Sequence, residues 1–257
     1  MNSEWVKVRD AVDLPGLRLV LSQGVPNPWS EAAKGVFEVK KIPFVRVIQT
    51  VMGKNAALQE WTGQTSAPVA VYEKERPRTT WSETLLLAER LAPEPALLPS
   101  NPEERALAFG LLHEIAGQLG FGWCRRMHFT NAALADSQSP LQAVGDYVGG
   151  RYGYDWADQA LVRKRIDELL AMFAARLHRQ RQLGSSYFLG DRLTAVDIYW
   201  ATFAVLLQPL PPDLCPMHEL SRAFYTLRNE ELRPDPILFE HRDRIYRDHL
   251  TLPIALT

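Results

Sequence analysis

The sequence predicts an α/β domain followed by an all-helical domain. Three observations carry this. Up to position 92, short strand-like runs alternate with helix-like segments. Pro93, Pro95, Pro99 and Pro102 then crowd into the eleven residues from Ala92 to Pro102. Beyond them, the periodic segments repeat at the helical spacing alone.

In chain order, Leu17–Leu21 is an apolar strand. Pro28 to Lys41 reads as a helix, because proline suits the first helical position, where its missing N–H costs nothing. Phe44–Ile48 is a second strand, Ala56–Trp61 a short helix and Val69–Tyr72 a third strand. The turn Arg76-Pro77-Arg78 leads into a brief edge strand at Thr79-Thr80, and a helix runs from Glu83 to Leu91 with Ser82 as N-cap. The order βαβ and then ββα fits a thioredoxin-like layer over residues 17–92, preceded by an extension at 1–16. Residues 93–102 form a stiff proline-rich linker. In the helical domain, 103–257, Glu103–Met127 carries apolar residues at Leu107, Leu111, Leu112, Ile115 and Leu119. Arg163–Arg181 places Ile166, Leu169, Leu170, Phe173 and Leu177 on one stripe. Further helices run from Ala195 to about Leu207 and from about Ile237 to Leu250.

Composition narrows the function. With 46% hydrophobic and 23% charged residues the chain is that of a soluble globular protein. A net charge of −1 points to no nucleic acid or anionic membrane as partner. No apolar run reaches the roughly 20 residues that span a bilayer. Residues 1–10 mix charges with Trp5 and Val6, unlike a signal peptide, so a cytoplasmic location is expected. Cys124 and Cys215 form no CxxC pair and read as small buried residues. The six histidines show no metal-binding spacing, so no metal is expected.

The most informative stretch is Ser66-Ala67-Pro68-Val69 with Ser82-Glu83-Thr84 after it. Proline entering a strand donates no ladder hydrogen bond, and it becomes intelligible if the Ala67–Pro68 bond is cis in a tight turn, leaving the Ala67 backbone to a ligand. A helix start offers free N–H groups to a carboxylate. A second signature lies at Leu193-Thr194-Ala195-Val196-Asp197-Ile198: Thr194 as N-cap, Asp197 at N3 and a Leu193–Ile198 staple. By itself this box is a folding signal. Together with Tyr187-Phe188-Leu189-Gly190-Asp191 and the apolar helix that follows, it resembles the buried sixth helix of the glutathione S-transferase superfamily.

That resemblance covers residues 15 to 250 or so, and it implies the site. The Ala67 backbone would pair with the cysteinyl part of glutathione beside Pro68, and Glu83 with Thr84 would clamp the γ-glutamyl group. Gln64 and Ser66 are weaker contacts. Asn27-Pro28-Trp29-Ser30-Glu31 looks like the Cys-Pro-Phe-Ala-Glu segment of the omega class with asparagine in place of cysteine, which removes mixed-disulfide chemistry. Asn27 is the expected thiolate stabiliser, with Ser30 and Ser22 as alternatives; Asn27 followed by Pro28 is equally a good helix start with no function. The electrophile would sit between the domains against Trp29, Trp123, Arg126, Met127 and Tyr154, with the aromatic, glycine-rich segment Tyr147–Tyr154 as a connecting loop. The implied reaction conjugates glutathione, as co-substrate, to an apolar electrophilic small molecule in detoxification by a homodimer. A non-catalytic glutathione-binding or scaffold protein of the same fold, and a glutathione-dependent peroxidase or reductive cleavage enzyme, are the alternatives.

Overall fold

The computed structural model describes residues 4–154 and 159–257. A four-stranded sheet has the order β1–β3–β2–β4, from β1 (Trp5–Val6), β2 (Leu17–Ser22), β3 (Phe44–Gln49) and β4 (Val69–Tyr72). β2 runs parallel to β3 from Leu17–Phe44 to Ser22–Gln49, and antiparallel to β4. The expected strand at Thr79-Thr80 is reduced to one antiparallel bridge between Ala70 and Arg78. Around the sheet lie α1 (Val8–Ala11), α2 (Pro28–Val39), α3 (Ala56–Thr62) and α4 (Trp81–Leu91). β2 is buried along its whole length, which is why its residues are almost all apolar.

Residues 1–16, read from sequence as an extension, supply β1, which pairs parallel with β3 through Trp5–Arg46 and Val6–Val47. Two residues are too short for periodicity to reveal. The proline-rich segment is pinned at its start. The buried Lys40 ammonium donates to the carbonyls of Ala92 at 2.6 Å and Pro95 at 2.8 Å, and pairs with Glu89 at 2.7 Å.

The helical domain contains α5 (Pro102–Ala116), α6 (Phe121–Leu134), α7 (Gln142–Tyr152), α8 (Gln159–Gln182), α9 (Ala195–Phe203), α10 (Glu219–Thr226) and α11 (Ile237–His249). The single helix expected over Glu103–Met127 is thus two, broken by a corner at 117–120. Leu119 adopts a positive φ there, and a Cβ on Gly120 would lie 2.6 Å from the His113 carbonyl oxygen. Apolar spacing alone did not register the corner, because the hydrophobic stripe continues on both sides of it. The segment Tyr147–Tyr154, read as a loop, is helical through Tyr152.

One core joins the two domains. α2 packs on α9, where Gly35 comes so close that a Cβ would lie 3.1 Å from Ile198 and 3.0 Å from Leu250. Trp200 is fully buried among Phe121, Phe173 and Phe188. Asp197, also fully buried, accepts from the Phe188 N–H, the Thr194 N–H and the Thr194 hydroxyl, each at 2.8 Å, and its carboxylate lies 3.1 Å from His241 Nε2. The Thr194–Asp197 capping box is therefore an anchor between α9 and α11.

Candidate active site at the domain interface

The carboxyl end of the sheet faces the helical domain across a cleft with two connected chambers. The first, about 120 Å³, has a polar wall of Ser22, Asn27 and Gln49 and an aromatic wall that includes Phe129, Phe224 and Tyr225. The second, about 280 Å³, is bounded by Gln64, Pro68, Thr79, Gln118 and Trp123. Ser66, Ala67, Trp29, Arg126 and Tyr152 border both.

The polar wall follows from local folding. Asn27 caps α2, its Oδ1 accepting from the Trp29 N–H at 3.2 Å, with Pro28 at the first helical position. Its Nδ2 donates to Ser22 Oγ at 2.9 Å and to the Ala67 carbonyl at 3.4 Å. Ser22 in turn donates its hydroxyl hydrogen bond to Gln49 Oε1 at 2.8 Å. Asn27 thus ties the end of β2, the start of α2 and the Ala67–Pro68 turn, whose peptide bond is cis. Ser30 is buried one turn along, accepting from the Ser22 N–H at 3.4 Å, and lines neither chamber. Gln49 was not singled out in the sequence; its one signal was a polar residue ending an apolar strand.

At the start of α4 the N-cap is Thr80 and not Ser82. Thr80 Oγ1 accepts from the Glu83 N–H at 3.2 Å, while Glu83 Oε2 accepts from the Thr79 and Thr80 N–H groups. The Thr80–Glu83 spacing makes a complete capping box, which Ser82 cannot. Glu83 Oε1 receives Arg76 at 2.7 Å. Burial opposes its ionisation, but the hydrogen bonds from Arg76, Thr79 and Thr80 outweigh that and hold its pKa below the usual carboxylate range. Thr84 is 1% exposed and its hydroxyl is a buried group without a hydrogen-bond partner. Thr79, one residue before the cap, lines the second chamber, so α4 starts at the rim of the cleft.

On the helical side, the Arg126 guanidinium contacts two rings, 4.1 Å from Trp29 and 3.9 Å from Tyr152. Trp29 is fixed across the domain boundary by its indole N–H, which donates to the Ala116 carbonyl at 2.9 Å, and by an edge contact with Phe203 at 4.7 Å. Gly122 makes room for this: a Cβ there would lie 2.4 Å from the Phe203 ring and 2.9 Å from the Trp29 ring. Arg151 reaches back from α7 to the Thr65 hydroxyl. Two of the residues expected in the electrophile pocket lie elsewhere. Met127 is buried in the core, facing away from the cleft, and Tyr154 lies beside α6, its hydroxyl accepting from Asn131 at 2.8 Å. Neither lines a chamber. Helix numbering explains Met127: on α6 it adjoins Arg126 in sequence but lies about 100° around the axis.

Neither cysteine offers a thiolate. Burial pushes the Cys124 thiol up to about 12 and the Cys215 thiol up to about 11. Among the described residues there is no cluster of three or more metal-ligating side chains. No described helix is long and apolar enough to cross a membrane.

Residues 154–244 match the model of the glutathione S-transferase C-terminal domain. The chain has the fold of glutathione S-transferases. A glutathione S-transferase from Methylobacterium radiotolerans, in complex with glutathione sulfonate, superposes with a TM-score of 0.62 at 20% identity, covering 91% of this chain and 92% of that one. One from Methylobacillus flagellatus with glutathione bound gives 0.60 at 12% identity over 90% and 95%. The beta-etherase LigF of a Sphingobium strain gives 0.58 at 15% identity over 89% and 99%. No curated protein sequence matches the chain. The expectation of a thioredoxin-like domain followed by a helical domain is therefore met in a glutathione S-transferase fold.

Proposed function

We propose that the protein binds glutathione at the Ala67–Pro68 turn and the start of α4, and conjugates it to an electrophilic small molecule in the first chamber. The observation that carries this reading is the junction of Asn27, Ser22 and Ala67 on one wall of an interdomain chamber whose opposite wall is aromatic. Glutathione bound to one structural neighbour, and glutathione sulfonate bound to another, support the choice of co-substrate. The Thr84 hydroxyl is a buried group without a partner that lines neither chamber, so a glutathione carboxylate would have to displace its cover to reach it. Glu83 Oε2 is committed to the helix cap, so the glutathione ammonium would meet Oε1 in competition with Arg76.

In this reading Asn27 acts by exchange. Its bond to the Ala67 carbonyl is long and weak at 3.4 Å. When the cysteinyl N–H of glutathione donates to that carbonyl, the freed amide hydrogen of Asn27 turns to the sulfur. An amide carries no charge, so the thiolate is held by this donor and the N-terminal field of α2, and rate comes mainly from positioning. The thiolate attacks the electrophilic carbon, the C–S bond forms and the leaving group departs with its electron pair. The thiol proton passes to solvent. Conjugation of glutathione to 1-chloro-2,4-dinitrobenzene tests the proposal: turnover by the wild type, reduced at least tenfold in Asn27→Ala, supports it, where tenfold corresponds to about 1.4 kcal/mol.

A second reading is a glutathione-binding protein without chemistry. It is favoured by one observation, that both amide hydrogens of Asn27 already have acceptors. Glutathione binding with no turnover across an electrophile panel would select it. A homodimer acting in the cytoplasm in detoxification completes the proposal by family likeness, and sedimentation of the purified chain tests the dimer.

A further inference from the structure

Arg126 is the single charged residue lining either chamber, among the described residues. Among the described residues no carboxylate lies within ion-pair distance of it, and its guanidinium makes no hydrogen bond to any of them. Arg126 is half-buried, and a charge drawn partly out of water is ordinarily paired. The two rings lie 4.1 and 3.9 Å from the guanidinium carbon, and its N–H groups donate to no described residue. Arg126 borders both chambers. The neighbouring cation Arg151 lies over Tyr147 and Tyr152 at 6.0 and 5.8 Å, and its like charge opposes that of Arg126. A planar fork of donors without a hydrogen-bond partner matches the two oxygens of a carboxylate.

We propose that Arg126 is a specificity-determining residue that selects an aromatic second substrate carrying a carboxylate. This rests on the conjugation reading for what becomes of that substrate, though not for its binding. The aromatic part is set by the chamber wall of Phe129, Phe224 and Tyr225, and the carboxylate by the unpaired fork at its edge. Glutathione has a carboxylate of its own on the glycyl end, so the same chemistry has two sources. The ring contacts favour the second substrate, because Trp29 and Tyr152 extend the aromatic wall of the first chamber right up to the guanidinium. For an aryl chloride the step balances as C–S bond formation, C–Cl cleavage and release of chloride, with the thiol proton going to solvent.

The test needs no turnover. Calorimetric titration compares 3,5-dinitrobenzoate with its neutral methyl ester, which share ring and size but differ in charge, each with and without S-methylglutathione. The acid is expected to bind the wild type at least about tenfold more tightly than the ester, the factor that one charge-assisted hydrogen bond readily supplies. Arg126→Gln should erase that preference and Arg126→Lys should keep part of it. Equal binding of acid and ester to the wild type overturns the proposal without recourse to any variant. So does a preference that survives in a folded Arg126→Gln protein. If Arg126→Gln instead weakens glutathione and the wild type shows no acid preference, the fork serves the glycyl carboxylate and the proposal is wrong. Absence of S-methylglutathione binding with the acid preference intact would sink the conjugation reading alone.

Discussion

The Asn27 amide donates to the Ala67 carbonyl across 3.4 Å, linking the helix start that should activate sulfur to the turn that should hold the cysteine. The same amide donates to Ser22. Asn27 is therefore structural before it is anything else. Asn27→Ala removes an N-cap and is expected to lower stability by about 1 kcal/mol, seen as a shift of the denaturation midpoint. Asn27→Ser restores a cap but cannot reach two acceptors at once. It should recover most of the stability and little of the turnover, and recovery of both would mean that the amide has no role at sulfur.

Gly122 sets the position of Trp29. Gly122→Ala places a methyl group 2.4 Å from the Phe203 ring and 2.9 Å from the Trp29 ring, and both rings belong to the packed domain junction. Overpacking of this kind costs about 1–3 kcal/mol. Because Trp29 contacts Arg126, the substitution should also shift the tryptophan emission and weaken ligands of the first chamber. An unchanged melting curve would show that the junction yields freely.

Asp197 should be the most sensitive single position away from the cleft. Asp197→Ala strands the Phe188 and Thr194 N–H groups in the core and removes the anionic neighbour of His241. Losses of this type are about 3–5 kcal/mol. Thermal denaturation should show little or no folded Asp197→Ala protein at 37 °C, whereas a loss below about 1 kcal/mol would contradict the anchor assignment.

Acid should destabilise the fold partly through His128. Burial, then the neighbouring Arg125 charge, lower its pKa from 6.5 to about 4, against the opposing pull of Glu231. The unfolded chain therefore binds this proton first as pH falls. Stability from His128 is complete above pH 6.5 and is lost progressively down to pH 4. The loss is of order 3 kcal/mol for such a shift. His128→Asn should flatten the stability profile across that window compared with the wild type, and parallel profiles would refute the assignment.

The sequence was legible where local chemistry is repeated in one short segment. Pro28 after Asn27, Pro68 at a strand start and Thr194 with Asp197 each state their conformation within four residues. The fold class follows from these and from the buried β2 run. What stayed hidden depends on distant partners. The Arg126 ring contacts need Trp29 from 97 residues earlier and Tyr152 from another helix. Gln49 gains meaning only beside Ser22. Thr80 displaced Ser82 as the cap because Glu83 lies three residues after it, a spacing visible in the sequence but masked by the family pattern. β1 was missed because its two residues are strand only by virtue of β3.

Glutathione binding at the Ala67 turn and the start of α4 is measured by calorimetric titration of glutathione into the purified chain. Saturable binding with one site per chain is expected, weakened about tenfold in Thr84→Val, which keeps the shape but removes the hydroxyl. No heat of binding to the folded wild type, or equal affinity in Thr84→Val, would contradict it.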